Sequence, residues 1–272
     1  MKSENMEAGS IEIVGTEESS LESNIESSIE NKNTELNNDK SYSILSTLLW
    51  MAFLALGVKG LIGVIAYTAF VLYGLEGDAL ENVFYQPIFM GLSGLVAALL
   101  SISLIKKACH VGGAEFPYKF LAIQPISMPI LLKVLLVGAV FLAFEYLADS
   151  LLSIETQALL LTVKSLTHSP LDVLMLILGV CIIAPIVEEI VFRGLAYARF
   201  KNSRLGVTGA IIITSVFFTV VHTQYEFLVL VFIGVLAFLL GYVRYKTGNV
   251  LYCIALHMQM NIAATINLFF FV

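Results

Sequence analysis

From residue 43 onward the chain is written in long apolar blocks separated by short polar breaks. The blocks fall at roughly 43–73, 84–105, 127–149, 171–198, 206–222, 227–244 and 250–271. A helix needs about 20 apolar residues to cross the hydrocarbon core of a bilayer. The pattern therefore predicts an all-α polytopic membrane protein, a bundle of about seven transmembrane helices, or eight if the first block is miscounted. The first and fourth blocks exceed the bilayer thickness and must tilt, kink or protrude. No repeat of 20–50 residues marks a solenoid.

The polar breaks give an orientation. Lys106, Lys107 and Lys119 lie in the 106–126 loop, Arg199, Lys201 and Arg204 in the 199–205 loop, and Arg244 and Lys246 in the 244–249 turn. The 74–83 loop and the 223–226 turn carry no base, and the 150–170 loop carries only Lys164. Basic residues concentrate in cytosolic loops. The alternation predicts an integral membrane protein with its N-terminus in the cytosol and its C-terminus outside, in the inner (plasma) membrane if the source is bacterial. Residues 150–168 could form an amphipathic helix at the outer interface. Ser169-Pro170 reads as an N-cap followed by proline at the first helical position, and 109–125 as an irregular cytosolic loop.

Composition changes one part of this picture. Of 272 residues, 58% are hydrophobic and only 13% charged, against about 25% charged in soluble domains. Residues 1–40 hold ten acids and three lysines, so the net charge of -6 belongs to that tail and the remainder is close to neutral. Residues 1–41 read as a disordered acidic tail and 42–272 as the transmembrane domain. No basic surface points to nucleic acid. The three cysteines, Cys109, Cys181 and Cys253, have no CxxC spacing and read as packing residues.

The chemistry sits in three polar islands inside apolar blocks. Ionisable groups at bilayer depth are costly and mark function. The fourth block carries Pro185, Glu188, Glu189, Arg193 and Gly194. Pro185 cannot donate a helical hydrogen bond and loosens the turn before it. Glu189 and Arg193, spaced i, i+4, can pair, which leaves Glu188 as the freer carboxylate. Phe218 and His222 close the fifth block, and His257 and Asn261 lie one turn apart in the last. At about 1.5 Å per residue, Glu188 lies roughly 16 Å from Arg199, and His257 roughly 16 Å from Lys246. His222 lies roughly 27 Å beyond Arg204, so the islands reach compatible depths. Each also has a plainer reading: an ion pair, a helix-end histidine, a polar tie between helices. Lys59, Glu145 and Asp149 are further intramembrane charges, read either as tilted-helix and interfacial residues or as polar lining of a cavity.

The ordered set, Glu188-Glu189 with Arg193, then Phe218 with His222, then His257 with Asn261, resembles the EExxxR, FxxxH and HxxxN motifs of the CAAX prenyl protease and bacteriocin-processing (CPBP, Abi) family of intramembrane proteases. The resemblance covers about residues 170–262. It implies peptide-bond hydrolysis of a hydrophobic or membrane-bound peptide substrate. Glu188 would be the general base on a water that His222 helps to hold, and His257 and Asn261 would bind the oxyanion. Glu189, Arg193 and Phe218 would support them. No cofactor is favoured, since HExxH is absent and asparagine is an unusual zinc ligand. The metal alternative is zinc on Glu188, His222 and His257. The non-enzymatic rivals are a catalytically silent scaffold or bacteriocin-immunity protein on the same fold, and a transporter or proton relay, which would call for repeat symmetry. Beyond the peptide, the partner is membrane lipid.

Overall fold

The computed structural model describes residues 43–111, 117–152, 154 and 156–272. The acidic tail expected over 1–41 lies outside them, as does 112–116 of the expected irregular loop. The described chain is helical. In order the helices are α1 (Ile44–Leu72), α2 (Gly77–Tyr85), α3 (Pro87–Val111), α4 (Pro117–Phe120), α5 (Met128–Leu152), α6 (Ala158–Ser165), α7 (Pro170–Lys201), α8 (Gly206–Val220), α9 (Phe227–Thr247) and α10 (Val250–Phe270). Six of them, α1, α3, α5, α7, α9 and α10, are long and apolar enough to cross a membrane. The remaining apolar block, the fifth, forms α8 and is shorter.

The outer faces read as lipid-facing. On α5, Leu132, Leu136, Val140, Phe144 and Leu147 are all more than half exposed. Their spacing of three or four residues makes one stripe on one helical face. A contiguous apolar stripe of this kind is stable only against another apolar medium. The chain is an integral membrane protein.

Helix α7 is the centre of the bundle. Every residue from Val191 to Phe200 is buried, Arg193 and Arg199 included. Its 32 residues would span roughly 48 Å if fully α-helical. The excess is absorbed inside protein, because α1, α8, α9 and α10 wrap its C-terminal half. One core unites Met51, Leu54 and Val58 of α1 with Phe192, Leu195 and Phe200 of α7, and with Ala210, Ile211 and Phe218 of α8. A second joins α5, α9 and α10 through Val134, Phe141, Leu240, Tyr252 and Leu256. Ser169 caps α7, and Asp172 returns the bond to form a capping box, with Pro170 in the first turn as the sequence predicted.

Several boundaries differ from the apolar blocks, for local reasons. Residues 77–85 form a helix of their own, α2, where a loop was expected. Pro87, lacking an N–H, opens α3 and moves its start from residue 84 to 87. Of the amphipathic segment expected over 150–168, α5 runs on to Leu152 and only Ala158–Ser165 forms a separate helix. Both overlong blocks contain π-helical stretches, Phe53–Gly57 in α1 and Ile177–Ile183 and Ile190–Ala196 in α7.

Backbone and side-chain hydrogen bonds tie the basic loop ends together. Val250 N–H donates to the Ala122 carbonyl. Asn249 caps α10 at Leu251 N–H, while its amide donates to the Gln124 carbonyl. Arg199 donates to Ser46 at the start of α1. Arg199, Ser46, Gln124 and Asn249 therefore share one end of the bundle.

Candidate active site

The two π-helical stretches of α7 flank a six-residue α-helical segment, Ala184–Glu189, that presents the carboxylates. π-Bulges recur at functional sites because they re-aim side chains without ending the helix. Here the first bulge has a specific backbone consequence. Ala184 N–H donates to the Gly179 carbonyl, five residues back. In that register the Val180 carbonyl would be served by residue 185, which is proline and has no N–H. Asn261 of α10 supplies the missing donor, its Nδ2 lying 2.8 Å from the Val180 oxygen. One amide proton of Asn261 is thus committed to α7 and one is left.

Glu189 is fully buried and holds two cationic or donor groups on one oxygen. Arg193 Nη1 lies 2.9 Å from its Oε1, and His257 Nδ1 lies 2.9 Å from the same atom. Arg193 also donates to the Ala237 carbonyl of α9 through Nη2 at 2.8 Å. Arg244 Nε returns a bond to the Arg193 carbonyl at 2.9 Å. The pairing expected from the i, i+4 spacing is present, and it extends to two further helices, α9 and α10. Because a carboxylate only accepts, His257 Nδ1 carries a proton and Nε2 is the free ring nitrogen.

His222 follows the last turn of α8. Fifteen residues make α8 only about 22 Å long. A helix of that length falls short of the roughly 30 Å hydrocarbon core, and His222 sits partly buried on the turn that follows it. Its Nδ1 lies 2.7 Å from the Phe218 carbonyl. A carbonyl accepts only, so Nδ1 donates and Nε2 is again free. The Phe218 ring is the spacer of the site: it stands 4.6 Å from the His222 ring and 5.6 Å from the His257 ring, with the Arg193 guanidinium 4.7 Å from its centre. At 2% exposure it is wedged among the three.

Glu188 lies within electrostatic range of both His222 and His257. It is the less enclosed of the two carboxylates, but it is not unpaired. Lys59 Nζ of α1 lies 2.8 Å from Glu188 Oε1. The side chain of Glu188 is 14% exposed and that of Lys59 54%. Glu188 Oε2 accepts no hydrogen bond from the described residues. Lys59 also lines an apolar cavity of about 300 Å³ between α1, α2, α3 and α7, whose walls include Ile62, Phe89, Met90, Val180 and Val187. Glu145 and Asp149 do not line it.

Tyr225 is a neighbour the sequence did not single out. Its ring stacks on His222 at 6.3 Å. Burial, and after it the charge of Glu188, push its phenol above the ordinary value. Only its place three residues after His222 could have flagged it.

Zinc does not fit these residues as arranged. Among the described residues no three His, Cys, Asp or Glu side chains gather as a metal-holding set. Glu188 already faces an ammonium, which would repel a dication. Asn261 is tied to a backbone carbonyl.

Residues 170–263 match the family described as type II CAAX prenyl endopeptidase, Rce1-like. The matched segment begins at the first residue of α7 and ends within α10, and it holds all three motifs. It is about a third of the chain, and over it the chain is similar to a peptidase family. No curated protein and no solved structure matches the chain.

Proposed function

We propose, from a chain whose C-terminal third carries the Rce1-like peptidase motifs, that this protein is an intramembrane endopeptidase of the glutamate type. Its substrate is a hydrophobic or membrane-bound peptide. The observation that carries the reading is the pair of tethered imidazoles beside Glu188: both Nδ1 atoms are bound, so both Nε2 atoms are available for chemistry.

A water between Glu188 and His222 would donate one hydrogen to Glu188 Oε2 and the other to His222 Nε2. As the water oxygen bonds to the scissile carbonyl carbon, its proton passes to Glu188. The carbonyl oxygen becomes an oxyanion and accepts from the remaining amide N–H of Asn261 and from His257 Nε2. Donation from Nε2 requires an imidazolium, since Nδ1 already donates to Glu189. With Glu189 balanced by Arg193, that extra positive charge is what the oxyanion neutralises. Glu188 then gives its proton to the departing nitrogen as the carbon–nitrogen bond breaks. A general base of this kind contributes about 10²–10⁴-fold, and one oxyanion donor about 10²–10³-fold in kcat. The reaction as drawn needs no metal. The apolar cavity beside Lys59 is the place for a hydrophobic stretch of the substrate.

Purified protein in detergent or liposomes, offered a library of membrane peptides, tests this. Glu188→Gln is expected to lower cleavage at least about 100-fold, and a zinc chelator to leave it unchanged. Loss with chelator and recovery with zinc would instead assign His222 and His257 as ligands. The competing reading is a silent scaffold or immunity protein, and the ammonium on Glu188 is the observation in its favour. It requires wild type and Glu188→Gln to behave alike.

A further inference from the structure

Lys59 is the least expected component of the site. It lies in the middle of α1, far outside the matched segment, and reaches Glu188 across 129 residues of sequence. It follows directly on the π-helical stretch Phe53–Gly57, so the helix defect in α1 sits one turn from the residue that touches α7. The helix is anchored on both sides of it, by Met51, Leu54 and Val58 in the core shared with α7. The flank of the lysine toward α2 and α3 is the apolar cavity.

We propose that Lys59 is a positioning residue for Glu188: its ammonium holds Oε1, keeps the carboxylate charged, and leaves Oε2 as the oxygen that meets water. This rests on the reading of Glu188 as general base and adds to it a residue from the N-terminal half of the chain. The chemistry of the surroundings supports a permanent partner over a removable obstruction. If Lys59 swung away, both it and Glu188 would be unpaired at bilayer depth, each at high cost. An ammonium has three N–H groups, so Lys59 can keep Glu188 while its other protons meet water or a substrate carbonyl at the cavity edge. The groups that bear on the charge of Glu188 are Lys59 on α1, His257 on α10, and His222 and Tyr225 in the turn after α8. Lys59 is the one among them with a permanent positive charge and a direct hydrogen bond.

The test compares wild type, Lys59→Met, Lys59→Arg and Glu188→Gln in liposomes, with thermal midpoints recorded for each. Glu188→Gln against wild type judges the catalytic reading alone. Lys59→Met is expected to lower kcat about 10- to 100-fold, as a displaced catalytic group does, with KM changed less than about twofold. Lys59→Arg should recover most of the loss. A Lys59→Met enzyme as fast as wild type or faster would overturn the proposal, because that is what removing an obstruction does. So would a Lys59→Arg variant no better than Lys59→Met. A second readout does not depend on finding a substrate. In infrared spectra at neutral pH, Lys59→Met should show a protonated carboxyl band absent from wild type, Lys59→Arg and the Lys59→Met/Glu188→Gln double variant. Absence of that band from Lys59→Met overturns the proposal even if no peptide is cleaved.

Discussion

Adjacent carboxylates in α7 have opposite environments. Glu189 is sealed, its Oε1 shared by Arg193 and His257, while Glu188 is partly exposed and meets one lysine. Their substitutions should therefore separate cleanly. Breaking a buried ion pair by removing one partner costs about 3–5 kcal/mol, because a charge is left uncompensated. Arg193→Met and Glu189→Gln are expected to lower the thermal midpoint sharply in detergent and to reduce the folded yield. Glu188→Gln should abolish cleavage and lower the midpoint less than either, because the Lys59 side chain it leaves unpaired is 54% exposed. Equal midpoints for Arg193→Met and wild type would remove Arg193 from the framework of the site. The Glu189–Arg193 pair was legible in the sequence because i, i+4 spacing is a local rule. Lys59 at Glu188 was not, since nothing local relates two residues on different helices; sequence spacing exposed the charges but not their partners. Tyr225 stayed hidden for the same reason, standing in a turn with no periodicity to give it a face.

At the scale of helices, position is set by close approach. Gly179 of α7 meets Gly91 of α3 where a methyl group on Gly179 would lie 3.1 Å from the Gly91 Cα. A methyl on Gly91 would lie 2.8 Å from the Met175 carbonyl oxygen, a backbone atom that cannot turn aside. Small residues at such crossings let membrane helices pack. Gly91→Ala is expected to destabilise by about 1–3 kcal/mol and to lower cleavage, because the crossing holds the bulge whose Val180 carbonyl accepts from Asn261 of α10. Gly94→Ala is the control: its methyl would lie 3.9 Å from Gly179, an ordinary contact. Thermal unfolding of the two variants side by side decides the matter, and equal midpoints would contradict the crossing. Hydropathy predicted the long helices well, since the need to bury backbone in lipid leaves little choice. It misplaced α2 and the start of α3, where a proline and a nine-residue amphipathic turn outweigh average hydropathy. It overran the end of α8, where a helix stops at Val220 short of its apolar run.

For the whole molecule, the gathering of Arg199, Ser46, Gln124 and Asn249 at one end agrees with the alternation of basic loops. That end is expected to face the cytosol. The native cysteines, Cys109, Cys181 and Cys253, are all buried, so single cysteines placed at the exposed positions 201 and 224 can be read without removing them. In intact cells or spheroplasts an impermeant maleimide should label Gln224→Cys and spare Lys201→Cys, and the reverse pattern would invert the topology. The ion pair between α1 and α7 also has a consequence in time. The helices enter the membrane in the order of synthesis, and Glu188 is made 129 residues after Lys59. At 5–20 residues per second, that interval is roughly 6–26 s. During it Lys59 has no carboxylate from α7 to meet, so the ion pair that ties α1 to α7 forms only after α7 has been made. The contact between Lys59 and Glu188 thus makes the first span a late-maturing part of the bundle, completed only when α7 is in place.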